Sequence, residues 1–213
     1  MPDIEQWMNK AALYELLAAS FAFVSEETVA ALATGEYADA LVEIGSLNGM
    51  EKPFLEAQAS DLKAYSGRDE EEVLHCLRKE HTRLFIGGSE PLVTPYAGAW
   101  DALANDKPAL LMINAESMSI ERFMRRCGIG QPEGTNEPLD HIASLLEFLY
   151  YLCLVKADAV QPPSHADVRN EDYELFFDDH VAAFSQAFAT SVVQESSEPF
   201  FASAAQVLLQ LKR

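Results

Sequence analysis

The chain has 213 residues, 49% of them hydrophobic, which is enough apolar material for a sizeable core and excludes intrinsic disorder as its default state. Lys and Arg number 15 against 34 Asp and Glu, a net charge of −19 that excludes nucleic acid as a natural partner, because phosphates would be repelled. The same charge leaves a basic partner open.

Asp3 and Glu5 precede apolar residues spread at helical spacing (Trp7, Leu13, Leu16), which is not the pattern of a secretory signal. The first helix is expected over residues 4–24, with Trp7, Ala11, Tyr14, Leu17 and Phe21 on one face. Short helices follow at about 26–33, 36–46 and 53–65, divided by Gly and Pro. Asp69 starts a long helix that runs through Val73, Leu77, Leu84 and Phe85 and stops at Gly87-Gly88. The stretch from Ser89 to Asp106 contains Pro91, Pro95 and Gly98 and reads as an ordered loop with one turn near 97–104. A helix over 108–127, with Pro108 in its first turn, leads through a Gly/Pro/Asn-rich loop to the most apolar helix of the chain. Two last helices, about 171–193 and 198–211, carry Phe176, Phe177, Phe184, Phe188, Phe200 and Phe201. The expected fold is all-α, about ten helices around a central apolar helix, in one domain spanning 1–213.

The apolar stretch 139–155 is interrupted by Asp140, His141, Ser144 and Glu147 and falls short of the ~20 residues a membrane span needs, so no membrane insertion is expected. Cys76, Cys127 and Cys153 lie far apart on predicted helices without Cys-x-x-Cys spacing and read as reduced core thiols. An odd cysteine count without a signal fits the cytoplasm.

The most informative segment is Glu137-Pro138-Leu139-Asp140-His141, at the head of the apolar helix. A proline just inside a helix start loses no hydrogen bond, so the helix is expected to begin there, capped by Asn136 or Thr135, with Glu137, Asp140 and His141 in its first turn. Two adjacent helical residues point about 100° apart, which is poor geometry for an Asp-His proton-transfer pair, and no nucleophile motif lies nearby. Recognition suits them better: Asp140 can accept charge-assisted hydrogen bonds from an arginine while His141 offers a donor or a stacking face. His75 and His81 are six residues apart, about 240° around a helix, and cannot share a metal. His165 and His180 stand alone, and no phosphate-cradling glycine loop is present. Arg125-Arg126 lies deep in the chain and is not an export tag of this protein.

Residues 80–100, with Leu84-Phe85-Ile86-Gly87 followed by Pro95-Tyr96, resemble the segment of the TorD/DmsD family of redox-enzyme maturation chaperones in which a helix ends in Leu-Phe-x-Gly before a Pro-aromatic loop. The 137–141 pentapeptide resembles that family's Glu-x-Pro-Asp-His motif, with Leu139 between proline and aspartate, and Phe176 to Leu209 is similar to its closing helix pair. The resemblance covers about residues 5 to 210. It implies an all-helical fold, no catalysis, and binding of the twin-arginine signal peptide of a molybdenum-dependent oxidoreductase, whose export is held back until cofactor and subunits are in place; the residue spacings give no resident cofactor or metal of the chain's own. The residues it nominates are Leu84, Phe85, Tyr96, Trp100, Glu137, Pro138, Asp140 and His141. Ala97-Gly98-Ala99 are smaller than the bulky residues common at this place in relatives, and Phe184 stands where a Trp is frequent. Two alternatives stay open beside a purely structural adaptor role, which would need no groove. One is the NarJ-like branch, which assembles a membrane-bound nitrate reductase. The other is a GTP or pterin guanine dinucleotide at the helix N-terminus, which Glu137 and Asp140 oppose.

Overall fold

The computed structural model describes residues 4–88, 91–104, 114–131 and 138–212. Helix α1 (Ile4–Phe21) buries Trp7, Ala11, Tyr14, Leu17 and Phe21, the face its spacing predicts. Ser25 opens α2 (Glu26–Thr34) by accepting the Thr28 N–H at 3.1 Å, and α3 (Glu36–Leu47) and α4 (Lys52–Leu62) follow. Asp69 caps α5 (Glu70–His81) through the Glu72 N–H. Next come α6 (Ala97–Ala104), α7 (Ala115–Arg126), α8 (Ile142–Lys156), α9 (Asp172–Phe176), α10 (Ala182–Glu195) and α11 (Pro199–Leu208).

The architecture is all-α, as expected; the isolated bridge between Tyr96 and His141 is the sole β-type pairing among the described residues. No single described helix is long and apolar enough to cross a membrane. α8 packs along α1 and is apolar on nearly every side, with Ile142, Leu145, Leu146, Phe148, Leu149, Leu152 and Cys153 buried. Around this pair the buried side chains from Trp7 to Leu208 form one continuous core. Phe21, Phe85, Phe188 and Phe201 interlock, with neighbouring ring centroids 5.2–6.5 Å apart, and fasten the end of α1 to α10 and α11.

Four boundaries differ from the sequence reading. The long helix after Asp69 does not continue regularly to Phe85: at Thr82 it widens into a π turn, Thr82–Ile86, that buries both Leu84 and Phe85 and ends where Gly87 adopts φ 65°. A second π turn, Phe177–Val181, splits the predicted 171–193 helix. The helix expected from Pro108 starts at Ala115, because Asn114 and Ser117 form a capping box and the extended backbone of Asn114 ends the helical run. Pro108 itself lies outside the described residues. The fourth difference, at the head of α8, shapes the candidate site.

Polar side chains reinforce the joints. Glu80, almost fully buried, takes both Arg83 nitrogens at 2.7 and 2.8 Å and the Ser197 N–H at 2.7 Å, which ties α5 to the turn between α10 and α11. Glu198 accepts the Tyr65 hydroxyl and the Cys76 thiol. All three cysteines are free thiols, and burial pushes Cys127 and Cys153 up to about 12.

Candidate peptide-binding groove

Two segments far apart in sequence cross at the head of α8. The Ala97 N–H donates to the Asp140 carbonyl at 2.9 Å and the Ile142 N–H donates to the Pro95 carbonyl at 2.8 Å. This antiparallel bridge sets the Tyr96 and His141 rings edge to face, with centroids 5.3 Å apart. The bridge also corrects the expected helix start. Pro138 opens a turn closed by the His141 N–H on its carbonyl, and α8 begins at Ile142 with His141, in extended conformation, as its N-cap. A backbone N–H that would need a capping side chain instead finds the Pro95 carbonyl, and the next one donates to His141 Nδ1 at 3.2 Å. Asn136, Thr135 and Glu137, the expected caps and first-turn acid, lie outside the described residues.

With Nδ1 accepting from a backbone N–H, the neutral His141 ring carries its proton on Nε2. Burial pushes the imidazole down to about 4, so it is uncharged at neutral pH. Asp140 is 3% exposed and points to α6 rather than into a helix turn of its own. One carboxylate oxygen accepts the Gly98 N–H at 3.0 Å, while the other is buried with no hydrogen-bond partner. Burial holds this carboxyl above the usual aspartate range, opposed by the Gly98 bond and reinforced by the nearby Glu116 charge. The Gly98 carbonyl in turn accepts the Asn114 side chain at 2.6 Å. A Cβ at Gly98 would come within 2.5 Å of that same side chain, so the small residues of this stretch let α6 sit between Asp140 and the cap of α7.

Beside the crossing lies a groove of about 780 Å³. The groove-facing side of α8 presents Ala143, Ser144, Glu147, Phe148 and Tyr151 at three-to-four spacing, and the two small residues leave room above the helix. Phe23, His81, Phe85 and Ile86 form one wall; Tyr96, Leu139 and His141 form another; Met124 and Ile129 close the far side. Glu147 is the single carboxylate among the described lining residues, and no Lys or Arg is among them. The apolar surroundings raise its carboxyl above the ordinary glutamate range.

Of the eight nominated residues, the groove brings together Phe85, Tyr96 and His141. Leu84 is fully buried behind it, and its carbonyl accepts the Val93 N–H. Trp100 is half-buried away from the groove; its indole N–H donates to the Thr94 carbonyl at 2.8 Å and its ring meets Phe184. Pro138 shapes the turn, Asp140 holds α6, and Glu137 lies outside the described residues. Phe23, His81, Met124, Ile129, Glu147 and Tyr151 were not nominated. For Glu147 a signal existed: it is the single charge between Ile142 and Val155 in the most apolar helix of the chain. For Phe23 and Met124 there was none, because each comes from another helix end and is placed by packing alone. Among the described residues no group of three His, Cys, Asp or Glu side chains is arranged to hold a metal ion.

Comparison with known proteins places this geometry in context. The chain is similar to the chaperone protein TorD of Shewanella sp. (strain ANA-3), 25% identical over 161 residues that cover 76% of this chain and 74% of the relative. It is also similar to the chaperone protein TorD of Vibrio parahaemolyticus, 25% identical over 161 residues that cover 74% of this chain and 70% of the relative. The family model described as nitrate reductase delta subunit matches residues 50–190, a span that holds α5, the Pro95–Ala97 crossing, α8 and every nominated residue. The chain belongs to the nitrate reductase delta subunit family, in which its TorD-like relatives and its groove are to be understood.

Proposed function

We propose that this protein is a cytoplasmic redox-enzyme maturation chaperone, not an enzyme, and that it binds the twin-arginine signal peptide of a molybdenum-dependent oxidoreductase in the groove beside α8. Holding that peptide keeps the client from export until its cofactor is inserted and its subunits are assembled. The carrying observation is the groove itself: aromatic and aliphatic walls with one carboxylate and no cation among the described lining residues. A signal peptide pairs a basic head with an apolar run, and such a trough complements both. The names of the TorD relatives support the chaperone role, and the family description keeps a nitrate reductase subunit in view as a client of the NarJ-like kind.

The nucleotide alternative is disfavoured. Phosphate binding at the head of α8 would need free backbone N–H groups, yet the Ile142 and Ala143 N–H groups already donate to Pro95 and His141, with the Asp140 carboxyl beside them.

Phe23 and Ile86 stand more than half exposed at the groove, so Phe23→Ser with Ile86→Ser tests the reading with little damage to the core. The double variant should keep its denaturation midpoint and lose about tenfold or more in affinity for a synthetic twin-arginine signal peptide, as interface anchors do. A folded double variant that binds such peptides normally would move the site elsewhere.

A further inference from the structure

We infer that Glu147, and not the buried Asp140, is the residue that receives a basic side chain of the bound peptide. The inference rests on the groove being the peptide site, and it assigns the charge recognition within it. Asp140 is poorly placed for this: it is 3% exposed, does not line the groove, and spends one oxygen on the Gly98 N–H that fixes α6. A guanidinium could reach it only by prising apart the crossing of Pro95–Ala97 with Asp140–Ile142. His141 lines the groove but is neutral and offers no charge.

Glu147 meets the requirements of a cation receptor. It is exposed in the groove and makes no ion pair or hydrogen bond with any described residue, so its carboxylate is available. One turn further along the same face stands Tyr151, and beside it Phe148; the two rings lie nearly parallel, with centroids 6.1 Å apart. Tyr151 is held in place by its hydroxyl, which donates to the Cys127 carbonyl at 3.2 Å. A carboxylate next to a fixed aromatic shelf suits a planar guanidinium, which can donate charge-assisted hydrogen bonds from its edge and stack its face. From His141 to Glu147 the helix rises about 9 Å, the length of roughly three extended peptide residues. The groove therefore sets a register: a basic side chain at Glu147, and an apolar side chain about three residues away near Tyr96 and His141.

The test compares two synthetic signal peptides that differ only in their basic pair, Arg-Arg against Gln-Gln, on the wild type, Glu147→Gln, Glu147→Lys and the Phe23→Ser/Ile86→Ser variant. Glu147→Gln should weaken the Arg-Arg peptide about five- to tenfold and leave the Gln-Gln peptide unchanged. Glu147→Lys should weaken the Arg-Arg peptide further and bind a Glu-Glu-headed peptide better than the wild type does. If Phe23→Ser/Ile86→Ser weakens both peptides while the Glu147 variants leave the Arg-Arg preference intact, the groove stands and the assignment of Glu147 is wrong. If neither set of variants alters binding, the groove reading fails, and this inference with it.

Discussion

Asp140 and Asp172 are the same residue type at almost the same burial, 3% and 1% exposed, and they end in opposite electrostatic states. At Asp172, burial alone would raise the carboxyl, but two hydrogen bonds from Arg126 at 2.8 and 2.9 Å, the Arg169 N–H at 2.7 Å and the Cys127 thiol outweigh it and hold the group below the usual range. At Asp140 the Gly98 N–H and the residue's own N–H oppose the desolvation, no ion pair with a described residue assists them, and the group is held above the usual range. The corner around Asp172 is a finished clamp that locks α7 to the start of α9. The corner around Asp140 and His141 is incompletely satisfied, and it borders the groove. The difference shows where the molecule uses polar groups to stay folded and where it keeps polar potential beside an opening.

The sharpest way to break this comparison is to remove the clamp. Asp172→Ala takes the bidentate partner from Arg126, which is about a quarter exposed and keeps Asp167, and should cost roughly 3 kcal/mol, the lower end for breaking a buried pair. Chemical denaturation measures it, with peptide binding retained under conditions where the variant is folded. A loss below about 1 kcal/mol would show that the clamp is not a stabilising feature.

His141 gives the next largest effect. Its folded-state value of about 4 lies below the ordinary 6.5, so the unfolded chain takes up the proton first as pH falls. The associated stability is complete above pH 6.5 and is lost between pH 6.5 and 4, by up to about 3 kcal/mol. Asp172 acts in a separate window: its contribution is present above about pH 4 and disappears in stronger acid as the clamp is protonated. His141→Asn retains a capping side chain and should flatten the decline between pH 6.5 and 4. Equal slopes for variant and wild type, read from denaturation midpoints across pH, would contradict a buried neutral imidazole.

A smaller effect separates the two aspartates directly. Asp140→Asn keeps an oxygen for the Gly98 N–H and removes a poorly compensated buried charge, so its stability at neutral pH should stay within about 1 kcal/mol of the wild type. Asp140→Ala removes the acceptor as well and should cost about 1–2 kcal/mol. If Asp140→Asn proved as damaging as Asp172→Ala, the two corners would be equivalent after all.

The smallest energetic effect is long-range. The net charge of −19 should speed capture of a basic peptide at low ionic strength, and the advantage should fade as the Debye length shortens to about 8 Å near physiological salt. Stopped-flow association rates that do not change across that range would remove charge steering from the picture.

Much of the fold was legible in the residue order. Three-to-four spacing, the caps at Ser25 and Asp69, the stop at Gly87 and the prolines entering α4 and α11 depend on neighbours within one or two turns, and there the predicted and observed helices agree closely. The start of α7 was misplaced because Pro108 gave a local signal, whereas the cap that opens the helix is Asn114, reciprocated by Ser117 and held from outside by the Gly98 carbonyl. The candidate site was half legible for the same reason. Phe85, Tyr96 and His141 were marked by short motifs and do meet at the groove, while the companions from other helix ends carried no local mark.

The sequence by itself determined the helical class, the apolar identity of α8 and the acidic surface, because periodicity and composition are properties of the chain before it folds. Only the tertiary structure decided that His141 caps α8, that Asp140 turns away to Gly98, and that Glu147 faces the opening. Those outcomes depend on the backbone of Pro95–Ala97 supplying hydrogen bonds at the head of a helix more than 40 residues later, in a competition between local capping and a distant partner that residue order does not encode.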